Sequence, residues 1–265
     1  MDPRLTGLDL KTLALSTSDF LMPRICLCCG RQLLAGERHL CSVCLADLPL
    51  TRFEGVLHNP MADKYNGLVS APAYERACAL FYYTGGYRKI TQALKYGRNF
   101  GAGRFFARML GERLAAGESF DLVCPVPLHW TRRFTRGYNQ AEVIGREVAR
   151  VLEVPFEPRL LRRMRRTGTQ TKLSAEERAG NIAGAFEVRL SHCSSTKRGR
   201  IVDKRKISDG SSTNKDVFVD EQPLRILLVD DVFTTGATVA ACAAALRAAF
   251  GPDVRISVAT LAFSE

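Results

Sequence analysis

The sequence predicts an α/β protein, a mainly parallel sheet with helices on both faces, preceded by a small N-terminal cysteine module. Three observations carry the prediction. Short apolar runs alternate along the chain with segments whose apolar residues recur every three and four positions. One such run, "ILLVDDVFTTGAT", ends in two adjacent aspartates and a Thr-Gly turn. Near the start, "CLCCGRQLLAGERHLCSVC" sets two C-x-x-C turns about a dozen residues apart.

The elements follow in order. Strands are read at "ACALFYYTG", "FDLVCPVPL", "GAFEVRL", "RILLVDD" and "VRISVATLAF". Helices are read between them at "GYRKITQALKYG", "GAGRFFARMLGERLAAG", "NQAEVIGREVARVLEV" and "TGATVAACAAALRAAF". The alternation of the two types argues for the α/β class. Residues 1–50 are expected to hold an N-terminal helix and the cysteine module. Residues 51–75 mix Pro, Gly, Asn and charge without a steady period and read as a linker, and 76–265 form the α/β domain. Within it, 191–223 are rich in Ser, Lys, Arg and Asp and read as a flexible insertion.

The cysteines suit a metal better than disulfides, because a reducing compartment uses paired C-x-x-C turns for ligation. Cys26, Cys29, Cys41 and Cys44 form the expected ligand set of a structural zinc ribbon. A glycine at position 30 relaxes the first turn. So short a module buries little apolar surface, and the metal is expected to supply much of its stability. Cys28 lies inside the first turn and reads as a bystander, while His39 offers an alternative ligand that the four thiolates do not need.

The aspartate pair needs a different explanation. Two adjacent carboxylates at the end of a buried strand repel each other and gain nothing from packing, so they point to a ligand. In a parallel sheet the carboxyl ends of the strands are where ligands sit. Asp230 and Asp231 can accept hydrogen bonds from two neighbouring sugar hydroxyls. The loop through Thr234, Thr235, Gly236, Ala237 and Thr238 opens a helix and is built to hold a phosphate. Diol on one side and phosphate on the other describe a ribose 5-phosphate.

"ILLVDDVFTTGAT" resembles the 5-phosphoribosyl-1-pyrophosphate (PRPP) signature of type I phosphoribosyltransferases. Together with the zinc ribbon, "LKYGRN", "PVPLHWTRRFTRGYNQA" and "TGTQTKLSAEERAGNIAGAF" resemble the competence protein F, or ComF, family over nearly the whole chain. The insertion at 191–223 departs from that family's compact connection. The resemblance implies a type I phosphoribosyltransferase-like sheet and a PRPP site that takes Mg2+ with its ligand. Asp230 and Asp231 would hold the ribose hydroxyls as the catalytic pair, and Thr234 through Thr238 the 5-phosphate. Pro125, Val126, Pro127 and Leu128 would form the pyrophosphate turn, with Arg132, Arg133 and Arg136 beside it. Arg165, Arg166 and Lys172 lie in a basic stretch that reads as a closing lid.

A chain with 38 lysines and arginines against 27 aspartates and glutamates, net +11, attracts polyanions. The expected partners are PRPP, single-stranded DNA and, as the resemblance implies, proteins of the competence machinery. The reaction implied is transfer of a phosphoribosyl group to an acceptor, the alternative being a non-catalytic DNA-uptake factor. The sequence has no apolar run that would span a bilayer and no signal-peptide pattern, so a cytoplasmic protein without a transmembrane segment is expected.

Overall fold

The computed structural model describes residues 23–128, 135–164, 185–190 and 223–265. The expected N-terminal helix before residue 23 and the insertion through residue 222 lie outside them. The sheet has four strands: β1 (Ala77–Tyr82), β2 (Leu122–Pro125), β5 (Arg225–Phe233) and β6 (Arg255–Phe263), in the order β1-β6-β5-β2. Every pairing in it is parallel. Of the two middle strands, β6 is buried from Ile256 to Phe263 and β5 from Ile226 to Val229, which is why both carry an apolar run in the sequence.

Helices flank this sheet. α1 (Ser42–Ala46) belongs to the cysteine module. α3 (Arg88–Tyr96) follows a 3-10 turn after β1, and α4 (Phe100–Ala115) and α5 (Gln140–Leu152) pack on each other and on the sheet. Gly103 and Gly111 permit this packing. A Cβ at Gly103 would come within 2.8 Å of Leu94, and one at Gly111 within 2.9 Å of Val151. α6 (Ala237–Phe250) is rich in alanine and buries Val239, Cys242, Ala243 and Leu246.

Two elements differ from the sequence-based expectation. The stretch read as a linker carries α2 (Pro60–Asn66), which buries Met61, Ala62 and Tyr65 and packs on β1. Asn59 caps this helix, accepting from the N–H groups of Met61 and Ala62 at 3.1 and 2.9 Å, and Pro60 opens it. The second difference is a short antiparallel sheet. The strand expected at "GAFEVRL" forms as β4 (Phe186–Val188), but it pairs with β3 (Leu161–Arg163) rather than joining the main sheet.

A buried ion pair ties the linker region to the domain. Arg247 Nη2 lies 2.6 Å from Glu75 Oε1, with side chains 12 % and 2 % exposed. Glu75 also accepts from Tyr65 Oη at 3.1 Å and from the Ile256 N–H at 2.9 Å, so its carboxylate is saturated rather than stranded.

Candidate functional site

β2 ends four residues short of β5. Its last pairing sets Pro125 opposite Val229, and the Val126 N–H donates to the Val229 carbonyl at 2.9 Å before the two chains part. On its other side β5 stays paired with β6 as far as Phe233, two residues beyond the aspartates. A cleft of about 280 Å³ therefore opens beside β5 where β2 stops. Asp230, Asp231, Thr234 and Thr238 line one wall, and Val126, Pro127, Leu128, Arg136, Asn139 and Gln140 the other.

The acidic pair is held in place. The Asp231 N–H donates to Asp230 Oδ1 at 2.8 Å, and Lys95 Nζ lies 3.1 Å from Asp231 Oδ2. Lys95 is 20 % exposed and Asp231 13 %, so the pair is sheltered from screening by solvent. The carboxylates thus meet a lysine at their own cleft wall rather than only each other.

After Thr235 the chain turns at Gly236, whose φ of 78° belongs to the left-handed region. A Cβ there would also meet Phe233 at 2.6 Å and Leu68 at 2.9 Å. Glycine has no side chain to cap α6, and the first N–H groups of that helix lie next to Thr234 and Thr238 in the cleft wall. Thr235 Oγ1 accepts from the Ala237 N–H at 3.5 Å. Thr235, Gly236 and Ala237 shape the turn without lining the cleft, and Pro125 ends β2 behind it.

On the other wall, Asn139 fixes the backbone. Its Nδ2 donates to the Val126 carbonyl at 3.0 Å and its Oδ1 caps α5 through the Ala141 N–H at 3.2 Å. Arg136 donates to Gln140 Oε1 at 3.2 Å and stacks over the Tyr96 ring at 5.2 Å. Of the expected basic residues Arg136 is in the cleft, while Arg132, Arg133, Arg165, Arg166 and Lys172 lie outside the described residues. Tyr83, Lys95, Arg163 and Val232 complete the lining, and neither these nor Asn139 and Gln140 were singled out from the sequence. Lys95 stood inside "LKYGRN" and Gln140 inside "RGYNQA", so the motifs held the signal even though no single residue stood out.

The cysteines assemble as their spacing predicts. Ligand atoms of Cys26, Cys29, Cys41 and Cys44 all lie within 4.8 Å of one another, a grouping compatible with a zinc ribbon. Gly30 has a φ of 77°, the left-handed turn expected after the first pair. Burial acts to raise the Cys26 thiol, but the backbone N–H groups of Cys29, Cys41 and Cys28 prevail and hold it at about 6, favouring the thiolate that metals bind. Cys28 and His39 stand outside the cluster. Cys28 packs against Gly86, and the His39 ring lies 5.6 Å from that of Phe105.

The module docks on the start of α3. Lys89 Nζ donates to the Cys28 carbonyl at 3.0 Å and Tyr87 Oη to the Cys44 carbonyl at 3.2 Å. At its far end the same helix puts Lys95 on Asp231 and Tyr96 under Arg136. One helix therefore spans from the cysteine module to both walls of the cleft.

No protein-family model matches the chain. It is 26 % identical over 226 residues to competence protein F of Haemophilus influenzae, covering 80 % of this chain and 86 % of that protein. It is 28 % identical over 230 residues to DNA utilization protein YhgH of Salmonella typhi, and 26 % identical over 237 residues to YhgH of Escherichia coli K12. Each of these two matches covers 83 % of this chain and 88 % of the relative.

Proposed function

We propose that this chain, similar over about 80 % of its length to competence protein F and YhgH, is a member of the competence protein F family, serves DNA uptake and does so with a cleft that binds PRPP. The observation that supports this reading is the gathering of Asp230, Asp231, Thr234, Thr238, Lys95 and Arg136 around one cleft at the carboxyl end of a parallel sheet. The carboxylates accept hydrogen bonds from the two ribose hydroxyls. The turn from Thr234 to Thr238 and the start of α6 take the 5-phosphate. Arg136 and Lys95 take the diphosphate, with Arg132, Arg133, Arg165, Arg166 and Lys172 as further cations.

In the reaction proposed for this site, the bond from C1 of the ribose to the diphosphate breaks, the sugar passes through a cation-like state, and a nucleophilic atom of the acceptor forms the new bond to C1 while the diphosphate leaves with the electron pair. The arginines stabilise the charge that leaves with the diphosphate, and Asp230 and Asp231 orient the sugar and temper its charge. The carboxylate pair suits Mg2+ bound with PRPP, an ion that supplies charge neutralisation at the diphosphate. Zinc held by Cys26, Cys29, Cys41 and Cys44 has a structural part, holding the module against α3.

A second reading, binding of single-stranded DNA without transfer chemistry, is favoured by the net charge of +11 and by the name of the YhgH relatives. Calorimetric titration of the full chain separates the two. PRPP with Mg2+ is expected to bind with modest salt dependence, whereas DNA held by phosphate contacts loses affinity steeply as salt rises. Absence of PRPP binding, with salt-sensitive DNA binding present, overturns the first reading in favour of the second.

A further inference from the structure

Gln140 is the first residue of α5, is 2 % exposed and forms part of the cleft wall opposite the aspartates. Its Oε1 accepts from Arg136 Nη1 at 3.2 Å. A guanidinium offers only donors, so this contact settles which end of the amide is which: oxygen toward Arg136, nitrogen away from it. Nε2 is buried and has no hydrogen-bond partner among the described residues. A buried donor left unmade is a standing cost that native proteins seldom carry without a use. Asn139, next to it, shows the contrast, since both ends of its amide are bonded within the protein.

We infer that Gln140 is a ligand-reading residue whose Nε2 donates to an anionic oxygen of a diphosphate held against Arg136. The inference rests on the PRPP reading of the cleft. An amide NH2 can only donate, and phosphate oxygens at neutral pH mostly accept, so the two match without a proton being moved. The sugar hydroxyls already have acceptors in Asp230 and Asp231 on the other wall. Arg136 draws on Gln140 Oε1 and so polarises the amide, which makes Nε2 a better donor toward an anion. Gln140 therefore distinguishes ligands that carry a diphosphate from those that carry only the 5-phosphate.

The test titrates the full chain with PRPP, inorganic pyrophosphate and ribose 5-phosphate, each with Mg2+, in the parent and in Gln140→Leu and Gln140→Glu. Gln140→Glu keeps the size and can pair with Arg136, so it guards against a variant that fails to fold. The expected result is a loss of about tenfold or more for PRPP and pyrophosphate in both variants, with ribose 5-phosphate unchanged. Unchanged affinity for PRPP and pyrophosphate overturns the inference alone, and an equal loss for all three ligands overturns it in favour of a merely structural part. A parent that binds no PRPP overturns the reading of the cleft and this inference with it.

Discussion

Lys95 sets its ammonium 3.1 Å from Asp231, joining the last turn of α3 to the strand that carries the acidic pair. Two adjacent carboxylates on one sheltered wall repel each other, and a cation at this distance offsets that repulsion. Lys95 thus offsets part of the charge of the pair at close range and adds positive charge to a cleft proposed to hold a diphosphate. Lys95→Met is expected to weaken PRPP binding by about tenfold, the worth of one charged hydrogen bond. Titration of the variant checks this, and parental affinity contradicts it.

The cysteine module supplies the second prediction. Purified protein is expected to hold one zinc per chain, and replacing Cys26 and Cys41 together by serine is expected to abolish it. Because the module contacts α3 through Lys89 and Tyr87, chelation should also lower the melting temperature of the whole protein. Metal analysis and a melting curve with chelator decide both points. Zinc retained by the double variant contradicts the assignment.

A third prediction concerns pH. Arg150 hydrogen-bonds Glu147 and, with Arg108, holds its carboxyl below the usual carboxylate range against the opposing effect of burial. A folded value depressed below the unfolded one means that this stabilisation is present above the ordinary carboxylate pKa of about 4.3 and is lost as pH falls through the lower folded value. The parent should therefore be more stable than Glu147→Gln at neutral pH, and the gap should close in acid. Denaturant midpoints measured across that range test the sign. A gap that widens in acid contradicts it.

The legible parts of this fold are those whose signal is local. β5 and β6 announce themselves by the buried runs Ile226–Val229 and Ile256–Phe263, and α6 because it follows the acidic strand through a Gly turn. The cysteine set was legible because chelation demands the spacing. α2 was missed although Asn59 and Pro60 form a cap and first-turn pair, since Pro, Asn and Gly also mark loops. β3 has three residues and buries only Leu161 among them, too little for any period to show. In the cleft, the aspartates and the Thr-Gly turn lie in one run of sequence. Lys95 and Gln140 enter from distant helices, and their parts depend on an ion pair and an unpaired amide that exist only once the chain has folded.

The central claim is that the acidic pair binds the ribose of PRPP, and replacing both Asp230 and Asp231 with asparagine tests it most directly. The change keeps size and removes charge, so the fold should persist, which thermal denaturation will confirm. Each lost charged hydrogen bond should weaken binding by about 1.5–3 kcal/mol. Titration with PRPP and Mg2+ is the deciding measurement: the account predicts that the parent binds and the folded double variant does not, and a double variant that binds as tightly as the parent would contradict it.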